Sequence, residues 1–239
     1  MKKFAFTLLS AIAFMASALH VSAQAVTEQT RDVAGYSGVS IAGPFKVRVI
    51  LGNKEGVKLS VDAEYIDKVE TVVDNGSLTV RFKRPGFSLK REDYHVKTAD
   101  VTIYARTLSS IANAGSGNTT VEGTVTASDF KAILSGSGTI TIPTAKVSNE
   151  LTTRLSGSGS IDISGSAASV SAFISGSGEI KAKNFSTQTA SITISGSGNV
   201  YIKADKSINA TLVGAGNVYY SGNAEVTKHK VGSGSVQKM

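Results

Sequence analysis

The chain has 239 residues, with 25 basic against 18 acidic side chains for a net charge of +7, and neither cysteine nor tryptophan. Without cysteine there is no disulfide framework and no lipid-bearing cysteine, so stability must come from packing and backbone pairing. The basic excess is mild and spread over both halves, which argues against a polyanion-binding module.

Residues 1–23 read as a secretory signal peptide. Lys2 and Lys3 supply the positive start, an apolar run extends from Phe4 to about Leu19, and Val21-Ser22-Ala23 forms a small-x-small cleavage pattern before Gln24. The competing transmembrane anchor is disfavoured because the apolar run is at the short end of spanning length. No later segment could cross a membrane as a helix. Exported and mildly charged, the chain has no expected nucleic-acid partner.

Residues 24–110 form a β-rich unit, expected to cap the repeats that follow and to be continuous with them. Phe45, Val47, Val49 and Leu51 alternate with more polar neighbours, and Gly52 to Gly56 turns into Val57, Leu59 and Val61, the pattern of half-buried strands. One helical turn is expected at Tyr65 to Val69. Asp74-Asn75-Gly76 gives a tight-turn signal before Leu78, Val80 and Phe82, and Pro85 to Thr98 reads as a loop. Arg81, Lys83, Arg84, Lys90 and Arg91 form the one basic cluster, either a phosphate, glycan or headgroup patch or a solvated strand edge that blocks strand addition.

Residues 111–239 are repetitive. Gly-x-Gly tripeptides begin at Gly115, Gly136, Gly157, Gly176, Gly196, Gly214 and Gly232, with spacings of 18 to 21 residues. That period is too short for paired helices or propeller blades and suits one coil of a β-solenoid. Two positions after each second glycine comes an inward residue, as at Ile140, Ile161, Ile180 and Val200, and before each first glycine comes an inward triplet such as Leu151, Thr153 and Leu155. Each coil is therefore expected to be a strand, a Gly-x-Gly corner, a second strand and a looser corner such as Ser164 to Ala168. The corner glycines Gly115, Gly117, Gly136, Gly138, Gly157, Gly159, Gly176, Gly178, Gly196, Gly198, Gly214 and Gly216 are expected to accept positive φ and to admit the next coil about 4.8 Å away. The serines between them could form a hydroxyl ladder. Beyond residue 221, Lys228 and Lys230 take positions that were apolar, so the last coil is expected to be polar and frayed.

The run Asp100-Val101-Thr102-Ile103-Tyr104, then Leu108, Ile111 and Gly115-Ser116-Gly117, followed by repeated Ser-Gly-Ser-Gly, resembles the putative auto-transporter adhesin, head GIN domain family over roughly residues 36–220. The resemblance implies an exported bacterial protein with a right-handed parallel β-helix, acting non-catalytically in adhesion or as an envelope scaffold. It supplies no catalytic residues. The chain departs from a complete auto-transporter in having no room for a C-terminal translocator barrel.

Parallel β-helices also serve as polysaccharide lyases and hydrolases, which need clustered carboxylates or a base beside cations. The outward column three places after each second glycine reads Thr141, Asp162, Lys181, Tyr201 and Tyr219. Its Asp162–Lys181 neighbours are more simply a surface ion pair. The corners lack the carboxylates of calcium-binding β-rolls, and His95 and His229 have no second ligand at metal spacing, so no cofactor or metal is expected. A carbohydrate-active enzyme and a periplasmic structural protein stay as rivals. The candidate contact surface, for a glycan or a protein, is Tyr201 and Tyr219 flanked by Lys181 and Lys203. The two rings are expected about 5 Å apart, either as a flat aromatic platform or merely stacked on each other to stabilise the sheet. Oligomeric state, and placement in the periplasm, on the outer surface or in the medium, stay open.

Overall fold

In a computed structural model, residues 25–83 and 96–239 are described. The signal segment and, from the basic cluster, Arg84, Lys90 and Arg91 lie outside them, as does His95. All strands among the described residues belong to one continuous sheet. Before the long repeats come β1 (Val26–Arg31), β2 (Gly38–Ala42), β3 (Lys46–Leu51), β4 (Gly56–Asp62), β5 (Val69–Asp74), β6 (Ser77–Phe82), β7 (Ala99–Ala105), β8 (Ser110–Gly115) and β9 (Asn118–Glu122). The repeats are β10 (Val125–Gly136), β11 (Thr139–Gly157), β12 (Ser160–Gly176), β13 (Glu179–Gly196) and β14 (Asn199–Gly214), and the chain closes with β15 (Asn217–Ser221), β16 (Glu225–Val231) and β17 (Ser235–Lys238).

From β8 onward the coils stack in parallel with their corner glycines in register, Gly136 opposite Gly157, then Gly176, Gly196 and Gly214. The inward residues read from the sequence, among them Ile140, Ile161, Ile180, Leu155 and Ile174, are fully buried and line one solenoid core. The looser corner does not end the strand: β12 continues through Ser164 to Ala168, with a register shift between Asp162 and Gly165. Each repeat coil thus has a first face after the Gly-x-Gly corner, a short second face around residues such as Ala167 or Ala204, and a long third face leading to the next corner.

The two glycines of a corner have different reasons to be glycine. Gly136, Gly157, Gly176, Gly196 and Gly214 have φ between 121° and 129°, a region that L side chains rarely adopt. The second glycines have no positive φ; a Cβ there would strike the preceding coil, at 2.6 Å from the Gly178 carbonyl oxygen in the case of Gly198. This crowding serves hydrogen bonding. The Gly176 carbonyl accepts from the N–H groups of both Ser197 (2.9 Å) and Gly198 (3.1 Å), and the Gly157 carbonyl likewise from Ser177 and Gly178. Corner cohesion therefore comes from backbone, and no hydroxyl–hydroxyl bond joins the middle serines.

The N-terminal strands enter this stack out of sequence order. β2 lies between β6 and β8, and β3 between β7 and β9, all parallel, so the first coil of the chain is sandwiched between two later ones. Its corner is Gly43-Pro44-Phe45, with Gly43 at φ 137° under Gly115 and the fully buried Phe45 under Gly117. β3 and β4 do not pair directly, because β7 separates them. The expected tight turn is a hairpin joining β5 to β6, with Asn75 and Gly76 both at positive φ, and the expected helical turn is a 3₁₀ turn at Ile66–Lys68. Antiparallel β5 ends the stack on the third face, and antiparallel β4 with β1 ends it on the first. Arg31 links these two edges, donating to the Val69 carbonyl (2.7 Å) and to Thr71 Oγ1 (3.1 Å).

At the far end the last coil is not frayed. β16 pairs with β14 and β17 with β15, and Lys228 and Lys230 stand opposite the buried Ala210 and Leu212. Exposed lysines at two inward positions of β16 make this end a poorer edge for another strand to cover.

Candidate functional site

The alternation that buries Ile161, Ile180, Val200 and Val218 turns the residues after them outward on the first face. Their register is Thr141, Asp162, Lys181, Tyr201, Tyr219 and Gln237, as the spacing from the corner glycines anticipated. Tyr201 and Tyr219 have ring centroids 5.0 Å apart and planes inclined by 14°. One face of each ring is therefore turned toward the other along the solenoid axis.

The other face of Tyr201 is covered by a lysine. Lys183 Nζ stands 4.8 Å from the ring centroid, which makes a cation–ring–ring stack. Lys203, expected beside the rings, is exposed further along the same strand, opposite Ser221. Lys183 lies two residues after Lys181, the cross-strand partner of Tyr201, and begins a stretch between the pairs Ala182–Ile202 and Ser186–Lys203 in which β13 has extra residues that β14 lacks. A second hydrogen-bonded column, missed in the sequence, runs beside the rings. Asn217 Nδ2 donates to Asn199 Oδ1 (3.3 Å), and Ser235 Oγ donates to Asn217 Oδ1 (2.7 Å). Asparagine recurring one place after successive second glycines was its legible signal.

Lys181 and Asp162 are cross-strand neighbours as expected, yet Lys181 forms its ion pair with Glu179 of its own strand, at 3.3 Å. Asp162, Lys181, Lys183 and Asn184 then line a hollow of about 230 Å³ beside the rings. Desolvation is the main cause that raises the Tyr201 phenol above its ordinary value, with the Glu179 charge adding to it, so the hydroxyl stays protonated near neutral pH. The assembly offers ammonium groups, phenolic hydroxyls, an amide and a carboxylate in a row along the axis.

Elsewhere, the basic cluster is partly neutralised, since Arg81 bonds Glu70 at 2.7 Å across the β5–β6 hairpin. Among the described residues no group of three His, Asp or Glu side chains is placed to hold a metal. No described helix is long and apolar enough to cross a membrane.

Comparison with known proteins agrees with this architecture. Three crystal structures superpose over most of their length. A putative adhesin from Bacteroides fragilis gives a TM-score of 0.80 at 18% identity, covering 90% of this chain and 98% of that one. A putative lipid binding protein from Parabacteroides distasonis gives 0.75 at 22% identity, covering 90% and 96%. A putative adhesin from Parabacteroides merdae gives 0.65 at 20% identity, with the same coverage. At these identities the likeness concerns the fold. No curated protein matches the chain. The family model described as "Putative auto-transporter adhesin, head GIN domain" matches residues 35–224, from before β2 to the end of the regular coils, and the chain belongs to that family.

Proposed function

We propose that this protein is an exported, non-catalytic, adhesin-like binding protein of the cell envelope, and that the first face around Tyr201, Tyr219, Lys181, Lys183 and Lys203 is its contact surface. The observation that carries the reading is the Lys183–Tyr201–Tyr219 stack beside the Asp162–Asn184 hollow. Because the rings lock each other and Lys183 in place, their hydroxyls and the neighbouring ammonium groups are held at fixed positions before any ligand arrives. Coils repeat about every 4.8 Å, so an extended, hydroxyl-rich chain lying along the axis meets a fresh donor or acceptor at each coil. A surface glycan with hydroxyl and acidic groups fits that row best.

The rival enzyme reading would use Asp162 and Glu179 as the two carboxylates of a glycan-cleaving site. The ion pair of Glu179 with Lys181 favours binding over catalysis, since it engages that carboxylate within its own strand. The test uses a Tyr201→Ser, Tyr219→Ser double variant and a Lys183→Ala variant, each first shown to keep the β-sheet circular dichroism of the parent. Loss of binding on a glycan array and of attachment to cells is expected for both. Unchanged binding by the folded variants would remove this face, and release of reducing ends from any bound polysaccharide would replace binding with catalysis. Labelling of intact cells with an impermeant reagent distinguishes surface exposure, which adhesion requires, from a periplasmic scaffold.

A further inference from the structure

The third face differs in kind from the first. Its outward positions from β2 through β14 are mostly Ser, Thr, Ala and Gly, and the only Lys, Arg, Asp or Glu in the three central columns are Arg81, Lys131 and Arg154. The first face carries Arg48, Glu122, Asp162, Glu179, Lys181 and Lys183 over the same stretch. The exposed large apolar side chains also gather on the third face. Ile133 (37% exposed) and Phe173 (38%) flank Arg154 in one column, and Val213 (49%) and Val231 stand in the next. Val72 joins them from β5, opposite Thr79. Ile133, Arg154 and Phe173 border a hollow of about 270 Å³ floored by Leu134 and Leu155.

We propose that the third face is a self-association surface on which a second copy of this chain docks, the two related by a two-fold axis. Charge is the first argument. A two-fold contact lays each patch on its own copy, and the third face has few charges to strip of water, with Arg81 already paired to Glu70, where the first face has six. Relief is the second. Short serine, threonine and alanine side chains let two sheets approach closely, and the hollow beside Phe173 is a socket of the size that takes one apolar side chain from the partner.

Area is the third argument. Eight parallel strands from β2 to β16, about 4.8 Å apart and presenting some 17 Å of width, give roughly 600 Å² per copy, which is at the lower end of specific interfaces. Sheet positions are already ordered, so little conformational freedom is lost on docking. The pairing leaves the first face of each copy free, and the dimer then carries two contact surfaces and gains avidity toward a repetitive ligand. The inference does not depend on what the first face binds.

Sedimentation velocity on the chain from Gln24 onward, over a concentration series from nanomolar to tens of micromolar, provides the test. A monomer–dimer equilibrium is expected, and Phe173→Glu should weaken it at least tenfold while keeping the parent circular dichroism and melting. Because the chain has no cysteine, single thiols give a second reading that needs no disruptive change. Thr193→Cys on the third face should crosslink through a short bis-maleimide, and Thr141→Cys on the first face should not. A chain monomeric at every concentration, a dimer indifferent to Phe173→Glu, or the reverse crosslinking pattern would each overturn the proposal. So would a monomer that floats with phosphatidylcholine vesicles, which would assign the face to lipid.

Discussion

Gly198 lies so close beneath Gly178 that a Cβ on it would stand 2.6 Å from the Gly178 carbonyl oxygen and 2.7 Å from Ile174 Cγ2. Substitution at the second glycine of a corner therefore meets steric exclusion, while at the first, Gly196 with φ 128°, it meets backbone strain as well. Gly198→Ala and Gly196→Val are both expected to cost more than about 2 kcal/mol in urea denaturation, whereas Thr193→Val, at an outward position, should stay within about 0.5 kcal/mol. Equal midpoints for Gly198→Ala and Thr193→Val would contradict the corner packing.

Phe45 occupies the place of a second glycine in the Gly43-Pro44-Phe45 corner and stacks on Phe82 with centroids 4.8 Å apart. It is fully buried at the junction of the sandwiched coil and the outermost one. Phe45→Ala should cost about 3–5 kcal/mol, the range for deleting a buried aromatic ring. A loss below 1 kcal/mol would mean that this coil is not packed as described.

These residues show why part of the fold is legible in the sequence. Ile140 to Val200 and the glycine pairs recur at one spacing, and a local period translates directly into a column. The sandwiched coil has no such signal, because its second glycine is Phe45 and its partners are distant, Gly38 pairing with both Ser77 and Ser110. At the candidate site the column Asp162–Lys181–Tyr201–Tyr219 follows from counting. The choice of Lys183 over Lys203 as the cation on Tyr201, and of Glu179 over Asp162 by Lys181, depends on side-chain reach, which a period does not encode.

Arg48 and Glu122 join β3 to β9 through two bonds, Nε to Oε1 at 2.7 Å and Nη2 to Oε2 at 3.0 Å. The hydrogen bonds from Arg48 hold the Glu122 carboxyl below its ordinary value. A depressed carboxyl contributes stability that is complete above its unfolded value and disappears as pH falls through its folded value. Glu122→Gln should therefore lower melting slightly at neutral pH, the loss being small because both groups are exposed, and that difference from the parent should close as pH falls below about 4.5. Parallel acid limbs for parent and variant would show that the pair does not form in solution.

Lys228 and Lys230 take inward positions on β16, the last strand of the third face. Replacing both with valine should present an apolar, unpaired edge, and the variant is expected to form larger assemblies by light scattering at concentrations where the parent does not. A double variant no more associated than the parent would show that these lysines do not guard the end.

The position of β2 and β3 between later strands sets the order in which the chain can close. As the polypeptide is made, residues 38–51 emerge first but have no neighbour on either edge until β6 and β7 exist on one side and β8 and β9 on the other. Nucleation must therefore wait for about the first half of the chain and bring together segments dozens of residues apart, which is the slow kind of β pairing. Beyond Glu122 each coil lands on a finished template one repeat behind it, so extension is local. A nascent chain halted before β9 would still hold β3 with one bare edge, and that is the stage at which this protein is most open to pairing with the wrong strand.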